Sequence, residues 1–181
     1  KYFVKIVTGS DSAEMPFEIK ADPNYKISQQ EYEAQFAFLK QVQDKFNEVQ
    51  RGIKNIRSVR SQLNEFVDKQ GKDCPEDVKK MSQEINLQLT EVEEKLYQTK
   101  AKSFQDVLNY PIRLNDKLAG VFDMANSGNM APPKQAKDVY SELAAQSDTE
   151  LKKLNAIILN DLPKFNQLIR EKSLPVIRVK N

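Results

Sequence analysis

Between Ser28 and Gly71, apolar residues recur at steps of three or four: Phe36, Leu39, Val42, Phe46, Val49, Ile53, Ile56, Val59, Leu63 and Phe66. That spacing predicts one helix of roughly 40 residues, about 60 Å long at 1.5 Å per residue. Ser28 and Glu31 make a capping box at its start, and Ile27 is placed to staple onto Tyr32. Gly52 lies inside the stripe. A helical glycine costs about 1 kcal/mol relative to alanine, so its use there points to a close helix contact. Gly71 is positioned to end the helix.

A second helix is predicted from "KDCPED", with Asp73 or Cys74 as cap, Pro75 in the first turn, and Glu76 and Asp77 at the positive helix end. Its stripe is Val78, Met81, Ile85, Leu89, Val92 and Leu96, with an end near Lys100 or Ala101. Ser103 and Asp106 then cap a further segment whose apolar face opens with Phe104, Val107 and Leu108. Pro111 interrupts it. An interior proline costs about 3 kcal/mol, so Pro111 is better placed in the first turn of a new helix led in by Asn109 or Tyr110. Ile112, Leu114, Leu118, Val121, Phe122 and Ala125 supply the buried stripe of that helix, and residues 126–129 stop it.

Pro132 and Pro133 open the last helix. Val139, Tyr140, Leu143, Ala144, Leu151, Leu154, Ile158, Leu162, Phe165 and Ile169 keep helical spacing to residue 171, with a kink expected at Pro163. Val176, Ile177 and Val179 in the tail are expected to pack back on the body. Residues 1–22 follow the other period. Tyr2, Val4 and Ile6 alternate with Phe3, Lys5 and Val7, "TGSDS" turns, and "MPFEIKA" makes a second short strand. Two strands alone are marginal in water, so this hairpin needs further strands or a helical surface to lean on. The predicted fold is mainly α. It is an antiparallel up-and-down four-helix bundle over residues 23–181 with a short N-terminal β-hairpin over residues 1–22.

Composition narrows the chemistry. The 181 residues carry a net charge of only +2, with Lys and Arg interleaved among Asp and Glu, so no nucleic-acid footprint is visible. There is no histidine, which removes the commonest general base and metal ligand. The single cysteine, Cys74, can form neither an internal disulfide nor a zinc site. No apolar run approaches the ~18 residues of a membrane span. The strand pattern is already under way at Lys1, so the chain is expected to be a segment of a longer protein.

Carboxylates are many but unclustered. Glu91, Glu93 and Glu94 read as a solvated helix face. Asp116, Asp123 and Asp161 are the residues a metal or carboxylate-based site would use, yet nothing in the sequence converges them. Asn115 and Asn126 suit a ligand less well than a buried register-setting role. No phosphate-binding loop, dinucleotide fingerprint or EF-hand is present, and "GSDSAE" is too short for the last. No catalytic, cofactor-binding or metal residue is therefore assigned, and no cofactor is expected. The reading is a non-catalytic structural or protein-interaction module. The alternative is a small-ligand or metal-binding bundle, or an enzyme using the three aspartates. Calorimetric titration with divalent cations separates the two.

Four stretches carry a family resemblance: "YFVKIVTG…MPFEIKADPN", "EYEAQFAFLKQVQDKFNEV", "LNYPIRLNDKLAGV" and "LNAIILNDLPKFNQLIREKSLPVI". Together they cover almost the whole chain. It resembles the C-terminal region of large secreted bacterial β-propeller proteins with BNR or sortilin-type repeats, often labelled glycosyl hydrolases. In that family a small β-sandwich segment leaves through an extended "K-x-D-P-R" exit into a helical bundle. "EIKADPN" looks like that exit, with Asn24 where a basic residue is more usual. The resemblance implies a periplasmic or extracellular protein, with the hairpin as the trailing strands of the sandwich. It also implies partners in the propeller or sandwich domains of the same parent chain. It carries over no hydrolase residue, because the propeller is not part of this sequence.

Overall fold

The computed structural model describes residues 2–176, apart from the side chain of Phe104. The expected packing of Ile177 and Val179, and of the Phe104 ring, lies outside what is described. The chain is mainly helical, with a short antiparallel hairpin in front. Strands β1 (Tyr2–Thr8) and β2 (Asp11–Phe17) pair through a two-residue turn, Gly9–Ser10. Gly9 sits at φ 58°, the glycine-first arrangement that suits tight hairpins. Helices α1 (Gln29–Gln70), α2 (Glu76–Leu96), α3 (Leu114–Asn126), α4 (Lys134–Ala156) and α5 (Leu162–Glu171) follow. The first helix packs against α2, α3 and α4; α4 also packs on α2 and α3, and α5 on α2.

Local signals set the ends of α1. The Ser28 amide donates to Glu31 Oε2 at 2.8 Å and the Glu31 amide to Ser28 Oγ at 3.3 Å, a complete capping box. Gly71 closes the helix at φ 59°, its N–H donating to the Val67 carbonyl.

Six of the nine buried positions of α1 fall at intervals of seven, namely Gln35, Val42, Val49, Ile56, Leu63 and Gln70, and Phe38, Gly52 and Ile53 complete the inward face. Phe36, expected in the stripe, is 69% exposed, and Gln35 and Phe38 take the inward places. The reason is polar. The buried Gln35 amide donates to the Ala125 carbonyl in the last turn of α3 at 2.8 Å, and to the Gly128 carbonyl in the turn that follows the helix. Two other buried glutamines work the same way. Gln98 Nε2 donates to the Pro111 carbonyl at 2.8 Å, and Gln70 Nε2 to the Pro175 carbonyl at 2.7 Å.

Several boundaries differ from expectation. The second helix ends at Leu96, where Tyr97 turns extended at φ −139° and ψ 144°, and Pro75 caps it. The Ser103–Asp106 capping box forms, but over a short 3-10 turn, Phe104–Leu108. Val107 and Leu108 on that turn are exposed. Pro111 does not start α3. Its carbonyl is held by Gln98, and α3 begins at Leu114 with Arg113 as cap, which leaves Ile112 exposed in the extended lead-in. Val139 is likewise exposed, because the inward face of α4 runs through Ala136, Leu143, Ser147, Leu151 and Leu154. Val176 stays largely exposed, at the edge of a groove also lined by Phe66 and Ile169. Pro163 is accommodated by more than a simple kink. A π turn at Ile157–Asp161 joins α4 to α5 ahead of it. The widened turn relieves the clash between the proline ring and the carbonyl four residues earlier.

Gly52 is the close contact that its position suggested. A Cβ there would lie 2.7 Å from Leu151 Cδ2 and 3.5 Å from Leu154 Cδ2 of α4. Alanine would gain helix propensity while forcing Leu151 to move, two opposed effects of about 1 kcal/mol or more. Valine adds bulk without that compensation. Gly52→Val is expected to lower stability by about 3 kcal/mol, read from urea unfolding. A midpoint equal to wild type would mean that α1 and α4 are not in this contact.

Candidate functional site

The aspartates proposed from sequence do not assemble. Asp116 is exposed and accepts from its neighbour Asn115 Nδ2 at 3.2 Å. Asp123 is exposed beside Phe46 and Phe122, and Asp161 pairs with Lys164 at 3.2 Å. Among the described residues no group of three or more His, Cys, Asp or Glu could hold a metal ion. Asn115 is buried, as a register residue should be, whereas Asn126 is exposed at the end of α3. Burial pushes the Cys74 thiol up from its ordinary pKa, which disfavours the reactive thiolate.

Of the three glutamates assigned to a solvated face, Glu91 and Glu94 lie there and Glu93 does not. Glu93 is 3% exposed, between Arg57 Nε at 2.8 Å and Arg60 Nη1 at 2.5 Å. The Arg57 guanidinium also lies 4.8 Å from the centre of the Tyr97 ring. Burial pushes the Glu93 carboxyl up, but the two arginine hydrogen bonds outweigh it and hold the group below its ordinary range. This cluster joins α1 to α2. Its guanidinium and carboxylate groups satisfy one another, so it serves packing.

An open cleft of about 590 Å³ runs between α2 and the α4–π-turn segment, lined by Glu91, Glu94, Lys95, Arg113, Glu150 and Asp161 among others. Glu150 is paired with Lys153 at 2.8 Å. Arg113 Nε is buried without a hydrogen-bond acceptor there. The cleft offers scattered charges of both signs and no aligned pair of carboxylates for acid–base work.

The largest uncompensated feature is the hairpin. Its register places Tyr2 opposite Phe17, Val4 opposite Met15 and Ile6 opposite Ala13, all on one face. The Tyr2 and Phe17 rings lie 5.5 Å apart. Phe3, Val7 and Pro16 lie on the other face, with Lys5 opposite Glu14. Every residue of both strands is exposed, including Ile6 at 64% and Met15 at 67%. Neither strand packs on a helix. The turn that follows is held locally, with the Asn24 amide donating to Asp22 Oδ1 at 2.9 Å. The hairpin's apolar side chains are therefore left to solvent on both faces.

Comparison with protein-family models, curated proteins and solved structures yields no match for this chain. Among the described residues, no helix is long and apolar enough to cross a membrane.

Proposed function

We propose that this chain is a non-catalytic structural and protein-interaction module whose hairpin docks onto β-structure. The observation that carries the proposal is the hairpin's exposed apolar face, which no helix covers. In this reading the helices form an antiparallel up-and-down bundle, with α4 and α5 acting as one rod, and the bundle anchors the hairpin. The resemblance to the C-terminal region of exported β-propeller proteins supplies the setting. The hairpin then closes the small β-sandwich that precedes the bundle, and the partners are the sandwich or propeller domains of the parent chain. The location is periplasmic or extracellular.

The reading frame that encodes the chain tests this directly. Propeller repeats followed by a β-rich segment upstream of residue 1 are expected. A frame that encodes neither would remove the proposal.

A second expectation concerns autonomy. A version starting at Asp22 is expected to melt within about 2 °C of the 181-residue chain, because the hairpin adds nothing to the helical core. Loss of helical circular dichroism in the shorter version would show that the hairpin belongs to the folding unit.

A further inference from the structure

The two edges of the hairpin are not equivalent. A two-residue turn makes Thr8 and Asp11 a hydrogen-bonded pair, and the pairs then alternate along the ladder. Val7–Ser12, Lys5–Glu14 and Phe3–Pro16 are therefore the pairs whose backbone groups point outward. On the outer edge of β1, Phe3, Lys5 and Val7 each present an N–H and a carbonyl. On the outer edge of β2, Ser12 and Glu14 do so, but Pro16 has no N–H to offer. The proline sits where it costs the hairpin nothing and interrupts only the outside of β2.

Side chains repeat the asymmetry. The first strand, "YFVKIVT", carries a single charge, Lys5, and is otherwise apolar on both faces from Tyr2 to Val7, the pattern of a strand covered on both sides. The second, "DSAEMPF", carries Asp11, Glu14 and Pro16. Charges and prolines are the devices that keep a sheet edge from recruiting another strand.

We infer that β1 is an interior strand and β2 an outer strand of a larger sheet, and that the outer edge of β1 takes an extended strand from a β-sheet partner. The inference rests on the proposed docking role and adds which edge is used and what occupies it. The added strand completes the outward ladder of Phe3, Lys5 and Val7. The face bearing Tyr2, Val4, Ile6, Met15 and Phe17 then lies under the partner's second layer. A second copy of this chain is the competing occupant. Pairing β1 with itself would leave that apolar face in water, which favours the partner sheet.

Amide hydrogen exchange on the 181-residue chain and on the full product of its reading frame tests the assignment. In the isolated chain, Phe3, Lys5 and Val7 should exchange quickly. In the full product they should be protected by roughly a hundredfold or more, while Ser12 and Glu14 stay unprotected in both. Lys5→Pro and Glu14→Pro form a matched pair, because each removes one outward donor and the same Lys5–Glu14 cross-strand pair. Lys5→Pro is expected to abolish protection at Phe3 and Val7, and Glu14→Pro to leave it. Unchanged helical circular dichroism in both variants excludes general unfolding as the cause. Protection of Ser12 and Glu14 instead of the β1 amides would reverse the edge assignment, as would equal effects of the two prolines. Protection in the isolated chain that rises with concentration would make a second copy the occupant and overturn the partner strand. An upstream frame with β-rich domains but unprotected β1 amides would sink this inference alone. A frame without them would sink the docking role as well.

Discussion

Replacing Ile56 with aspartate is expected to lower stability by about 4 kcal/mol or more, enough to unfold a large fraction of the chain. Ile56 is 0% exposed and lies in the interior of α1, the helix that packs against α2, α3 and α4. Aspartate there loses the transfer energy of the isoleucine side chain, about 2 kcal/mol, and leaves a cavity. It also buries a carboxylate with no partner, which must either stay charged at high cost or take up a proton. Phe36→Asp is the informative comparison. That residue belongs to the same apolar stripe on paper, but its ring is 69% exposed, so the change should cost no more than about 0.5 kcal/mol. Urea unfolding of both variants reads the difference. Equal losses would mean that α1 turns a different face to its neighbours, and an unchanged Ile56→Asp would remove Ile56 from the core.

The contrast between Ile56 and Phe36 shows what the sequence could disclose. Features whose partners lie within a few residues were legible: the Ser28–Glu31 box, the Gly71 cap and the presence of a hairpin, although its turn is Gly9–Ser10 rather than "TGSDS" and its second strand is Asp11–Phe17 rather than "MPFEIKA". So was the length of α1, because ten apolar residues at helical spacing constrain it strongly. What failed were assignments that depend on a distant partner. Gln35 faces inward because the carbonyls at and just past the end of α3 lie 90 and more residues away, and a rule that counts only apolar residues skips it. The seven-residue interval from Gln35 to Gln70 was nevertheless present in the sequence, with polar residues at both ends. Treating glutamine as an admissible inward residue would have shifted the stripe to Phe38.

Glu93 failed for the same reason. In the run Glu91, Glu93, Glu94 all three look alike. Only the placement of Arg57 and Arg60 one helix away singles out the middle one. The candidate site was legible in one half. The hairpin's apolar face could be read from its alternation. That the helices leave it uncovered could not, because that depends on how the whole chain packs.

The buried glutamate also yields the second large effect. Changing both Arg57 and Arg60 to alanine is expected to cost about 3 kcal/mol at pH 7, since it leaves the Glu93 carboxylate buried without a partner. The decisive feature is how this loss varies with pH. In the wild type the arginines hold Glu93 below its ordinary value of 4.5. A depressed carboxyl stabilises the fold above that value, and the contribution fades as pH falls through the lower, folded value. Without the arginines only burial acts on the group, and burial raises a carboxyl. The sign then reverses. A raised carboxyl penalises the fold at pH values above its folded pKa, and the penalty shrinks as pH falls toward 4.5. The double variant should therefore recover stability between pH 7 and pH 5, by up to about 1.4 kcal/mol per unit in the range where Glu93 titrates. Wild type gains nothing from this residue over the same range. Adding Glu93→Gln to the double variant should remove the pH dependence while leaving the packing in place. Denaturant unfolding of the three proteins at pH 7, 6 and 5 measures it. A deficit in the double variant that is constant across that range would mean that Glu93 reaches water once the arginines are gone, and that its burial depends on them.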